Sequence, residues 1–197
     1  MTQNLCACDI APHLEIGTRL GLIMHHLESL RTSNTGRLIS LAINHSRICI
    51  RGLPNQLTDT EGLIPAGYAG LVLYPSPCSV ELTKELVAAF SKPLILIALD
   101  GNWNQAAKMV RRESVLETLL KVHLAWGPPS DFRLRTQSDV RRVCTFEAVA
   151  RALGIIEGPV VQQQLEEFFQ VMVERMLKAR GKLRKGETFA KVSDLVP

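Results

Sequence analysis

The chain has 197 residues, 46% of them hydrophobic and 21% charged, with a formal net charge of +4 at pH 7. That length and composition fit one globular domain with a sizeable core, and no apolar run approaches the length of a bilayer-crossing helix. Five cysteines without disulfide-like spacing point to reduced thiols in the cytoplasm, while the mildly basic balance permits an anionic partner such as RNA without demanding one.

The first residues, MTQNLCACDI, lack a basic segment followed by a hydrophobic stretch, so no secretory signal is read there. Cys6 and Cys8 cannot by themselves complete the four-ligand shell of a structural zinc, and no metal site is expected. Arg19 to His25 reads as a short buried strand. It runs into a loop, residues 26–37, that carries hydroxyls, an amide, a glycine and two arginines. Ser33, Asn34 and Thr35 are natural N-cap residues, and the free N–H groups of a helix start suit an anion. Arg31 and Arg37 would strengthen such a site; simple capping with solvated arginines is the equal alternative. His25 and His26 read as packing or hydrogen-bonding residues. The amphipathic run Leu38 to Ile43 follows.

Arg47 to Gly52 reads as a second strand. A polar connection, Pro54 to Pro65, leads to a third, Ala69 to Tyr74. Pro75 and Pro77 then make a stiff loop at that strand's carboxyl end, where a cofactor edge can lie against backbone. Val80 to Phe90 has helical periodicity. Next comes an unbroken apolar run, Leu94 to Leu99, that stops on Asp100. Runs that do not alternate with polar residues mark strands covered on both faces, as in a parallel sheet. Ligands of such sheets sit at the carboxyl ends of the strands, which makes Asp100 the leading candidate for chemistry. The competing reading is that Asp100 caps the helix after it.

Gly101, Asn102 and Trp103 lead into a helix through Ala106, Ala107 and Met109 to Arg111 and Arg112, and a short helix is read over Ser114 to Leu120. Val122 to Trp126 looks like a fifth strand. The loop Gly127 to Arg135 either holds backbone near a ligand or connects on the surface. Thr145 to Leu153 reads as a helix with Thr145 as N-cap, Gly154 to Pro159 as a break, and Val160 to Leu177 as a long amphipathic helix. From Arg175 the chain turns basic, which reads as a solvated end ahead of an RNA-contacting arm. The phosphate-loop and dinucleotide fingerprints are absent. Pattern alone yields an α/β domain with a candidate site at Asp100.

Several stretches in series resemble the DTW-domain family, the tRNA-uridine aminocarboxypropyltransferases. They are Glu28-Ser29-Leu30-Arg31-Thr32-Ser33-Asn34-Thr35-Gly36-Arg37-Leu38, Leu73-Tyr74-Pro75, Asp100-Gly101-Asn102-Trp103 running to Lys108-Met109, Phe132-Arg133-Leu134-Arg135, and Thr145-Phe146-Glu147-Ala148-Val149-Ala150. The resemblance implies a SPOUT-like fold: a parallel sheet with helices on both faces and a C-terminal trefoil knot. It divides the chain into an N-terminal arm (1–18), a catalytic domain (19–180) and a basic tail (181–197).

The activity implied is transfer of the 3-amino-3-carboxypropyl group of S-adenosylmethionine to N3 of a uridine in tRNA, with Asp100 and Trp103 as the catalytic pair and Asp100 as general base. The resemblance assigns Ser33, Asn34, Thr35, Tyr74, Pro75, Asp100, Arg133, Leu134 and Arg135 to the cofactor, and Arg31, Arg37, Arg111 and Arg112 to RNA. A SPOUT-like RNA methyltransferase and a non-catalytic RNA-binding module are the alternatives. A monomer is the expected state. Three departures stand out: Asn102 occupies the family's threonine position, an earlier CxxC is missing, and the proline and serine usual around Gln137 and before Thr145 are absent.

Overall fold

The run LILIALD has no polar residue before its last position, and in the computed structural model it occupies the interior of the sheet. The structure describes residues 7–134 and 143–182. Among these residues six strands pair: β1 (Arg19–His25), β2 (Ser46–Arg51), β3 (Ala69–Leu73), β4 (Val80–Glu81), β5 (Leu94–Asp100) and β6 (Leu120–His123). Their order is β2-β1-β5-β3-β6-β4, and every pairing is parallel. β5 is buried along its length except for partly exposed Leu99. This is the environment that a continuous apolar run selects.

Strand side chains alternate between faces, and two cores result. On one face Leu20, Leu22, Leu94 and Leu96 meet Ile39, Phe146 and Phe169. These come from α2 (Thr35–Ala42), α5 (Thr145–Ile156) and α6 (Pro159–Ala179). The Phe146 ring stacks on Phe169 at 4.7 Å between centroids, and full burial of such a side chain stabilises by about 1.5–3 kcal/mol. On the other face Ile23, Ile95 and Ile97 pack with Leu63, Met109 and Leu116, Met109 coming from α4 (Trp103–Arg112). Helices therefore cover both faces, as expected. Ala7 and Ala11 are buried in the first core, Leu14 bridges to Ile43, and Asp9 pairs with Arg175 at 3.3 Å. The described part of the N-terminal arm thus packs as part of the domain.

Several sequence expectations are corrected. Val80 to Phe90 is not one helix: Val80–Glu81 pairs with β6 as an edge strand, and only α3 (Lys84–Ala88) is helical. Thr83 separates them, its extended backbone starting α3 and its hydroxyl accepting from the Leu86 N–H at 3.2 Å. Residues 26–29 form a short helix, α1 (His26–Ser29), rather than loop. The short helix expected at Ser114 to Leu120 is one 3-10 turn, Ser114–Leu116, after which β6 begins. Gly154 lies inside α5; the break comes at Gly158, whose φ of +117° is followed by Pro159 in the first turn of α6. No helix among the described residues is long and apolar enough to cross a membrane.

Candidate active site

Asp100 ends β5 with a carboxylate that is 4% exposed. Its Oδ2 accepts from Asn34 Nδ2 at 2.6 Å, and its Oδ1 accepts from the Thr145 hydroxyl at 2.6 Å. Asn34 is the N-cap of α2, where its own oxygen accepts from the Arg37 N–H at 2.8 Å. One carboxylate therefore joins the starts of α2 and α5 to the end of the central strand. A Cβ on Gly36 would stand 2.7 Å from Oδ2, so the absence of a side chain there admits the carboxylate. Asp100 thus stands at the α2 start, where the positive end of the helix dipole favours a carboxylate.

Asp100 does not cap α4. Asn102 does: its Oδ1 accepts from the Gln105 N–H at 2.9 Å, while Gln105 Oε1 accepts from the Asn102 N–H at 2.8 Å. This reciprocal capping box needs a short side-chain acceptor, and asparagine supplies one at least as well as threonine. The departure at 102 therefore preserves the start of α4.

Beside Asp100 a cavity of about 620 Å³ opens at the carboxyl edge of β5, β3 and β6. Leu99 and Gly101 border it on one side, Tyr74 and Pro75 on another, and Ala125 to Gly127 on a third. Trp103, the first residue of α4, is 44% exposed on this wall, its ring 6.4 Å from that of Tyr74. Trp126, 80% exposed, lines it too, so both of the chain's tryptophans face one cavity. Thr145 completes the wall from α5. Thr145 thus belongs to the wall and also hydrogen-bonds Asp100, which is itself outside the lining.

Glu147 fixes the loop opposite. It is buried and accepts from the Ser130 hydroxyl at 2.6 Å, the Asp131 N–H at 2.7 Å and the Cys144 N–H at 2.8 Å. Cys144, not Thr145, is the N-cap of α5, which leaves the Thr145 hydroxyl for Asp100. Burial, and then the neighbouring Glu147 carboxylate, push the Cys144 thiol well above its ordinary value of 9.0. Although it lines the cavity, this thiol is held in its protonated, non-nucleophilic form.

The sequence-predicted residues divide three ways. Tyr74, Pro75 and Trp103 line the cavity. Asn34 meets Asp100 instead, and Ser33 and Thr35 are buried beside it, outside the lining. Arg133 is exposed and Leu134 packs against the core, both outside the lining; Arg135 lies outside the described residues, as does Cys6. Arg31 is ion-paired with Glu28 at 3.3 Å. Arg37, Arg111 and Arg112 are exposed, the last two in the final turn of α4. Sequence reasoning missed Glu81, His123, Trp126 and Arg151 as wall residues. Trp126 directly before Gly127-Pro128-Pro129 was the available signal.

A DTW-domain sequence profile matches residues 1–177. The chain is 25% identical over 201 residues to the mouse tRNA-uridine aminocarboxypropyltransferase 2, covering 99% of this chain and 67% of that protein. It is 27% identical over 169 residues to the Drosophila melanogaster protein of the same name, covering 82% and 66%. To the Arabidopsis thaliana tRNA-uridine aminocarboxypropyltransferase A it is 27% identical over 217 residues, covering 92% and 82%. The chain thus spans about two thirds of the length of its mouse and fly relatives. Among solved structures, the SAM-dependent rRNA:acp-transferase Tsr3 from Vulcanisaeta distributa aligns over 83% of this chain and 79% of its own, at 16% identity and a TM-score of 0.46. The profile takes in Asp100, its partners Asn34 and Thr145, and the whole cavity wall, and on that match the chain belongs to the DTW-domain family.

Proposed function

We propose that the chain transfers the 3-amino-3-carboxypropyl group of S-adenosylmethionine to N3 of a uridine in tRNA. The observation that carries this reading is Thr145, a residue of the cavity wall whose hydroxyl donates to Asp100. The names of the mouse, fly and plant relatives support the same activity.

A cavity of this size, walled by apolar and aromatic side chains with few polar groups, suits a nucleoside-sized ligand. Tyr74, Pro75 and Trp103 present flat apolar surface to an adenosyl group. The donor supplies a sulfonium whose attached carbons are all activated, so the walls decide which one meets the nucleophile. Uridine N3 attacks poorly while protonated. In this reading the N3 proton passes to the Thr145 oxygen as the Thr145 proton passes to Asp100 Oδ1. The N3 lone pair forms the new bond to the γ-carbon, and the carbon–sulfur pair stays on sulfur, releasing methylthioadenosine. Asp100 is the general base acting through a hydroxyl. Arg37, Arg111 and Arg112 offer exposed charge to tRNA phosphates, as does Arg31 from the segment before α2.

The test is incubation of the purified chain with S-adenosylmethionine and unmodified tRNA, followed by mass spectrometry of nucleosides and small products. Methylthioadenosine together with an aminocarboxypropyl-uridine is the expected result. S-adenosylhomocysteine with a methylated nucleoside would replace this reading with a methyltransferase, and donor binding without product would replace it with a binding module.

A further inference from the structure

Among the described residues the cavity wall carries one full cation, Arg151, and one acid, Glu81. Arg151 stands on α5, two turns beyond Thr145, and is half-buried. Its guanidinium reaches under the loop after β6, where a Cβ on Gly127 would lie 3.1 Å from Nη1. Among the described residues Arg151 makes no hydrogen bond or ion pair. The nearest buried acid on its own helix, Glu147, is taken up by Ser130, Asp131 and Cys144. A guanidinium held in a cavity wall without a counter-ion is a receptor for an anionic ligand group, and its planar fork matches a carboxylate.

We propose that Arg151 binds the α-carboxylate of the donor's amino-acid end, with Glu81 facing the ammonium of the same group. The assignment rests on the donor proposed above. It gives a use to both charged residues of the described wall: an α-amino acid zwitterion carries one charge of each sign. It also fixes the orientation of the donor. With its amino-acid end held on the Arg151 side, the carbon chain between carboxylate and sulfur is placed along the wall that Thr145 shares. Arg151 is a specificity-determining residue that selects which sulfonium substituent is presented.

The experiment is calorimetric binding of three ligands to the full chain, with no turnover required: S-adenosylmethionine, its decarboxylated form, and methylthioadenosine, which lacks the whole group. The wild-type chain is expected to bind S-adenosylmethionine roughly 10- to 100-fold more tightly than the decarboxylated form. Arg151→Gln should erase that difference while leaving methylthioadenosine affinity unchanged, and Arg151→Lys should retain part of it. An unchanged preference in Arg151→Gln overturns the assignment while leaving the donor reading intact. Loss of tRNA binding in that variant with donor affinity preserved overturns it in favour of a phosphate contact. If the wild-type chain binds none of the three ligands, the donor reading falls and the assignment with it. Matching melting temperatures for wild type and both variants show that the comparison is made between folded proteins.

Discussion

Asn34 grips Asp100 with one end of its amide and caps α2 with the other: Nδ2 donates to Oδ2 at 2.6 Å while Oδ1 accepts from the Arg37 N–H at 2.8 Å. Two jobs on one side chain make it costly to replace. Asn34→Ala should lose the cap, about 1 kcal/mol, and strip a buried carboxylate oxygen of a donor, about 1–3 kcal/mol more. Urea unfolding should show a loss of about 2–4 kcal/mol in total. A change under about 0.5 kcal/mol, the range of an ordinary surface substitution, would mean that this joint is not holding the helix.

Thr145 offers a sharper test of chemistry than Asp100 does, because Asp100→Asn would disturb both helix starts at once. Thr145→Ser keeps the hydroxyl and should turn over within several-fold of wild type. Thr145→Val removes it and should slow single turnover by about 100-fold or more, the usual contribution of a positioned proton acceptor. Donor affinity should stay close to wild type in both. Equal rates for the two variants would discard the hydroxyl relay.

Gly36→Ala is a substitution that helix propensity alone would favour by about 0.5–1 kcal/mol. The structure reverses that expectation, since the new methyl would lie 2.7 Å from Asp100 Oδ2 and 2.8 Å from Leu22 Cδ2. Overpacking of this kind costs about 1–3 kcal/mol. The variant should melt below wild type and lose turnover as the carboxylate is displaced; a higher melting temperature would show that the space is not filled as described.

The Cys144 thiol binds its proton more tightly folded than unfolded, because burial and then Glu147 push it well above 9.0. The unfolded chain therefore releases that proton first as pH rises. The thiol's contribution to stability is constant below the ordinary thiol range and falls as pH climbs through about 9. At pH 8 iodoacetamide should label exposed Cys8 and Cys78 readily and leave Cys144 and buried Cys49 slow, which peptide mapping reads directly. Rapid labelling of Cys144 would contradict the environment assigned to it.

The sheet was legible wherever a strand is covered on both sides. Leu94 to Asp100 and Ala69 to Leu73 announce themselves by apolar residues without alternation, and the stop at Asp100 marks the edge where the cavity lies. Trp103 and the Pro75 loop were found for the same reason, as residues that directly follow strand ends. Asp100's partners were not legible, because Asn34 and Thr145 stand 66 and 45 positions away in the chain. Thr145 in particular read as an N-cap by residue type. Nothing local says that Cys144 fills that role and frees the hydroxyl. Arg151 sits within a helical run whose spacing reads as core and solvated face, so its place in a cavity wall comes only from the packing of α5 against the loop after β6. The edge strand β4, two residues long, is set by its neighbour β6 and leaves no pattern of its own. Arg135, with the stretch around it, lies outside the described residues.

Trp103 and Trp126 are the chain's whole complement of indole, and both border the same cavity. The protein's ultraviolet emission is consequently a local signal. A molecule entering the cavity alters the surroundings of every indole in the chain at once, so occupancy can be followed by fluorescence without an attached dye. Trp126→Phe, by silencing the more exposed of the two, would leave Trp103 as a single reporter at the start of α4, beside the turn that follows Asp100.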